Sequence, residues 1–155
     1  MEMTPVDMPV FLDPRLAPDP ADSYRQAWQL LADREPRRAI ALIEPALDAE
    51  PQSASLRTLR AWAYFQSAQQ QRAEGDLSRL VEQCPTDVWA RFVLGRVLER
   101  QARYSDALPH LRLAAVMSGD VEHETAVLRV ERRLAEASGS YDDLAERGGP
   151  PEPAV

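Results

Sequence analysis

The sequence contains no lysine: all 18 basic residues are arginine, set against 25 acidic ones for a formal net charge of −7. Such a chain lacks the basic face that nucleic acid or an anionic membrane requires, so neither is expected as a partner. Cysteine is almost absent too. Cys84 alone rules out an intrachain disulfide, and its setting, EQCP at a helix end, reads as an ordinary structural thiol. The only two histidines, His110 and His123, have no Cys or further His nearby, and the side chains of Glu122–Glu124 splay in successive directions around a helix start, so no metal site is expected. Among six glycines, GSYDD and RGGPP lack the Lys, Ser and strand context of a phosphate loop. No stretch approaches the ~18 apolar residues of a membrane span. The N-terminal MEMTPVDMPVFLDPRLAPDPADS has neither a basic leader nor an unbroken apolar run and does not read as a signal peptide. These absences lead to the expectation of a soluble cytoplasmic protein without cofactor or metal and without catalytic activity.

What is present favours helix: 45% of residues are apolar, and Ala, Leu, Arg, Glu and Gln dominate. A period of 34 organises them. Ala27, Ala61 and Gly95 follow it, as do Ala39, Ala73 and Ala107, and Pro51, Pro85 and Gly119. Larger residues keep the same step: Leu30, Tyr64 and Leu98; Ile43, Leu77 and Leu111; Ala46, Leu80 and Ala114. The columns define three units, Pro20–Ser53, Ala54–Asp87 and Val88–Val121, each read as two antiparallel helices joined by a short polar turn such as RQARYSD. Small residues in the first two columns allow the paired helices to cross closely. Pro36 suits a first helical turn, Ser105 is the expected N-cap of its helix, and Pro45 and Pro109 predict a kink or a displaced start. In VEHETAVLRVERRLAEA, the residues Val127, Val130 and Leu134 lie at helical spacing in an otherwise charged segment, as a terminal capping helix requires.

The pattern resembles the tetratricopeptide repeat (TPR), whose units carry a small residue at position 8, Ala at 20 and Pro at 32. The third unit matches best, with Leu94, Gly95, Tyr104, Ala107 and Ala114 on signature positions. The family's Trp at position 4 is Ser23, Arg57 and Arg91 here, and its Leu at position 7 is Gln26 and Arg60 in the first two units. The resemblance implies an all-α, right-handed solenoid of antiparallel helix pairs with a C-terminal capping helix. The chain then divides into a Pro-rich arm (1–19), three repeats (20–121), a capping and a partial helix (122–147) and a loose tail (148–155).

In this family the first helices of successive units line a concave surface through positions 2, 5, 6 and 9. Carried over, the resemblance places Tyr24, Arg25, Trp28, Thr58, Leu59, Trp62, Trp89, Phe92, Val93 and Arg96 there, with Phe65 one turn beyond Trp62. Helix WARFVLGRVLER raises the question most sharply, because Trp89, Phe92 and Val93 form a second apolar face beside the core stripe of Ala90, Leu94, Val97 and Leu98. An aromatic groove for the apolar anchors of a peptide or helix from another protein answers it. Relatives that hold a chaperone's C-terminal carboxylate use a Lys, Asn, Asn, Lys, Arg clamp; the matching Tyr24, Trp28, Leu59, Trp89 and Val93 are neither cations nor amides, which argues against that use. The expected function is thus a non-catalytic interaction adaptor. The alternatives are a holding chaperone for a hydrophobic client, and a self-assembly module, such as a homodimer, whose groove is filled by its own or a neighbour's N-terminal arm.

Overall fold

A computed structural model describes residues 20–139. They form seven helices and no strand: α1 (Pro20–Ala32), α2 (Pro36–Ala49), α3 (Ala54–Gln66), α4 (Gln70–Gln83), α5 (Val88–Arg100), α6 (Tyr104–Ser118) and α7 (Val121–Ala137). The arm, the partial helix after Gly139 and the tail lie outside the described residues. The chain divides into two compact units, Met1–Gln69 and Gln70–Val155. Within the first, α1, α2 and α3 all touch one another; within the second, α5 touches α4, α6 and α7, and α6 packs against α7.

Helices α1, α3 and α5 begin at Pro20, Ala54 and Val88, the residues at which the 34-residue period opens each unit. Local chemistry explains these starts. Ser53 accepts a hydrogen bond from the Leu56 amide at 3.4 Å, and Asp87, 34 residues on, accepts one from the Ala90 amide at 2.9 Å. Pro36 opens α2 at a position where its missing N–H costs nothing. For α6 the expectation is corrected: the N-cap residue is Arg103 rather than Ser105, and the helix starts at Tyr104. Neither Pro45 nor Pro109 displaces a helix start, since α2 and α6 both run through them. Both prolines are exposed, so water can reach the carbonyl that each leaves without a helical donor.

Each first helix ends in the same device. Arg34, Ala68 and Ala102, again 34 apart, adopt left-handed φ values of 60°, 59° and 57°. The next amide reaches back to the carbonyl five residues earlier: Glu35 to Leu30 at 2.8 Å, Gln69 to Tyr64 at 2.9 Å and Arg103 to Leu98 at 3.0 Å. Together with the bonds Arg34 to Leu31, Ala68 to Phe65 and Ala102 to Glu99, these are Schellman caps that satisfy terminal carbonyls and reverse the chain. A left-handed residue with a Cβ costs roughly 1 kcal/mol, so the caps are held by the packing on either side.

The repeat columns supply that packing. Ala27, Ala61, Ala39, Ala73, Ala107, Ile43, Leu77 and Leu111 are fully buried. At the α5–α6 crossing, a Cβ on Gly95 would stand 2.6 Å from Leu111 Cδ2, so any side chain there would force Leu111 to move. Positions where the family's Trp is replaced are not slack. The buried Arg57 donates to the Pro51 carbonyl at 2.6 Å, and Arg91 donates to the Pro85 carbonyl at 2.5 Å. Each arginine thereby ties a first helix to the proline that closes the helix before it.

Candidate functional site

Residues carried over as groove-lining divide between the two units. In the first, Trp28 is 56% exposed and Tyr24, one turn earlier on α1, is 37% exposed. Arg25 points to solvent and pairs with Asp22. On α3, the Trp62 and Phe65 rings stack with centroids 5.4 Å apart and are half-buried. Thr58 is half-buried and spends its hydroxyl on the Ala54 carbonyl at 2.9 Å. Leu59 is buried, which removes it from the accessible set. Beside Tyr24 lies an open cavity of about 480 Å³, bordered by Ala21, Arg25, Glu50, Ser53, Ser55 and Leu56. This cavity was not visible in the sequence, because Glu50 and Ser53 come from the α2–α3 turn rather than from a first helix.

The second unit treats the equivalent face differently. Phe92 stacks on His123 of α7 at 4.0 Å between centroids, with the Arg96 guanidinium 5.8 Å from the same ring. Val93 is buried, and Trp89 is half-buried. Arg96 pairs with Glu99 at 3.0 Å, and Glu99 also accepts from Arg129 of α7 at 2.9 Å. The second apolar face of α5 is therefore packed, at Phe92 and Val93, rather than presented to a groove. Sequence reasoning missed this because His123 and Arg129 were read as part of a charged, solvated helix; only the placement of α7 against α5 brings them to Phe92 and Glu99.

Electrostatics reinforce that junction. Burial pushes the Glu99 carboxyl up, but hydrogen bonding and charge from Arg129 and then Arg96 outweigh it and hold Glu99 below the usual carboxylate range. Glu74 behaves alike: burial raises it, and bonds from Gln101 at 2.9 Å and Arg103 at 2.7 Å bring it down. His110 is lowered by burial and by the Arg91 charge, with Asp106 opposing. Among the described residues, no group of three His, Cys, Asp or Glu is placed to hold a metal ion, and no helix is long and apolar enough to cross a membrane.

No family model matches the sequence, and no curated protein matches it. Solved structures do. The TPR domain of OM64 from Arabidopsis superposes with a TM-score of 0.69 at 19% identity, over 73% of this chain and 94% of that one. The fold is that of tetratricopeptide repeats. The Sgt2 TPR domain from Aspergillus fumigatus aligns over 89% of both chains with a TM-score of 0.69 and 23% identity. The first TPR of Spaghetti (RPAP3), solved with the HSP90 peptide SRMEEVD, gives 0.70 at 19% identity, over 82% of this chain and 99% of that chain. The TPR resemblance of the sequence is thus met in three dimensions at the level of the fold.

Proposed function

We propose that the chain is a non-catalytic adaptor that binds a protein segment through apolar anchors, and that its first unit carries the main docking surface. The observation behind this reading is Trp28, a large ring more than half exposed, with Tyr24 one turn away and a cavity of about 480 Å³ beside it. Leaving such rings in water is unfavourable by ~25 cal/mol per Å² of apolar surface, which a docked apolar side chain would recover. The stacked Trp62 and Phe65 of α3 form the second part of the proposed surface, because Trp62 holds in its unit the position of Trp28 in the first. A structural neighbour that holds an HSP90 peptide supports peptide binding as a use of this fold. The ligand chemistry here differs, because Tyr24, Trp28, Leu59, Trp89 and Val93 offer no cation or amide for a terminal carboxylate. Of the eleven groove residues expected from the family pattern, the proposal retains Tyr24, Arg25, Trp28, Thr58, Trp62 and Phe65 as the contact set.

The test is selection of binders from a displayed library of random peptides against the whole chain, followed by calorimetry on the winners. Aromatic or aliphatic anchors should dominate the winners. Trp28→Ala, whose helical circular dichroism should match the parent, should weaken them about thirtyfold, the loss expected of an interface hot spot. Winners that bind Trp28→Ala as tightly as the parent would overturn the assignment of the surface.

A further inference from the structure

Exposed apolar side chains gather a second time, away from α1. Of the seven large hydrophobic residues that stand exposed among the described residues, five belong to the last hairpin: Leu113, Val116 and Met117 on α6, and Val121 and Leu128 on α7. Val116, Val121 and Leu128 are 83%, 73% and 66% exposed, more than Trp28. On α7 the buried residues Ala126 and Val130 define the core side. At ~100° per residue, Val121, Leu128 and Arg132 fall on the opposite side, the one that a further helix would cover.

Only eight residues, Ser140 to Arg147, precede Gly148-Gly149-Pro150-Pro151, and Tyr141 and Leu144 are their only large apolar side chains. The second helices α2, α4 and α6 have 14, 14 and 15 residues. Helix α7, by contrast, is complementary to itself. Leu128 lies at the centre of its outer face, with Glu124 one turn before it, Arg132 one turn after it, and Val121 and Ala135 two turns away on either side. An antiparallel two-fold pairing about Leu128 sets Glu124 of each copy against Arg132 of the other, Val121 against Ala135, and Leu128 against Leu128. The two helix dipoles are also opposed in this arrangement.

We propose that the chain forms a homodimer through the outer face of α7, with the exposed α6 residues Val116 and Met117 at the rim. The assignment is independent of the peptide surface on α1, and its readout is association state rather than peptide affinity. Sedimentation equilibrium on the full chain should show a concentration-dependent dimer. Leu128→Glu, at an exposed position that leaves the helix intact by circular dichroism, should weaken it at least about tenfold. Glu124→Arg and Arg132→Glu should each weaken it, whereas the double variant should recover most of the loss, because the two-fold restores opposite charges. A monomer at every concentration overturns the proposal, as does a dimer indifferent to Leu128→Glu. A parent that is monomeric but dimerises when Tyr141→Ser and Leu144→Ser are introduced overturns it in favour of coverage by the chain's own C-terminal segment. A charge-swapped double variant as weak as the single ones overturns the antiparallel register.

Discussion

Helix α1 buries Ser23, Ala27 and Leu31, a single stripe one turn apart, whereas α5 buries six of its thirteen residues. The two occupy the same place in their repeats and have the same length. Their neighbours differ. Among the described residues of its unit, α1 touches α2 and α3, while α5 touches their counterparts α6 and α7 and also α4. The aromatic residues at equivalent positions meet different side chains: Phe92 is clamped against His123 of α7, whereas α3 carries the small Ser55 at the position of His123, and Tyr24 remains exposed. A ring at this position stays exposed only where the first helix of the next unit brings no large side chain to it.

The contrast can be pressed hardest at Gly95. Gly95→Val puts new carbon against Leu111 and should cost about 3 kcal/mol in denaturant unfolding, while Gly75→Ala, on an exposed helical face with nothing within 4 Å, should stabilise by roughly 0.5–1 kcal/mol. Next comes the aromatic pair. Phe92→Ala should cost about 2 kcal/mol, and Trp28→Ala under about 1 kcal/mol, since the second ring already stands in water. Equal losses at the two positions would erase the distinction between a clamped and an open face.

Glu99→Gln tests the tie between α5 and α7, with an expected cost of about 1 kcal/mol at neutral pH. The folded state holds the Glu99 carboxyl below the usual carboxylate range, so the carboxylate's contribution is fully present above that range and is lost as pH falls through the folded-state value. The difference between parent and variant should therefore shrink on acidification, as followed by urea titrations at a series of pH values. His110 adds a separate acid sensitivity. Its folded-state value lies below 6.5, so the neutral ring's stabilisation begins to be lost as pH drops under 6.5. The smallest effect is expected at the caps: Ala102→Gly should raise stability by roughly 0.5 kcal/mol, because glycine enters the left-handed region without a Cβ clash.

Periodicity alone located the starts of α1, α3 and α5, because a 34-residue step aligns small and large buried residues in columns that only repeated packing requires. The Schellman caps escaped notice for a chemical reason: the left-handed positions hold Arg34, Ala68 and Ala102 rather than the glycine that normally announces them. Arg57 and Arg91 could have been found. They recur at the same step, each six residues after a recurring proline, yet they look like departures from an aromatic signature until the hydrogen bonds to Pro51 and Pro85 are seen. Burial of Leu59 and Val93 was not legible at all from a helical wheel, since a wheel shows which residues share a face and never what covers it.

The arginine-to-proline contact has a consequence for which substitutions the joint tolerates. An arginine that grips a main-chain carbonyl is indifferent to the side chain that follows that carbonyl, and it frees its own position from the tryptophan that other repeats keep there. A chain built this way can drift far in letters while its joints stay in place, mutating along paths that an aromatic-packed joint would forbid. Its joints are then held by backbone geometry rather than by particular amino acids.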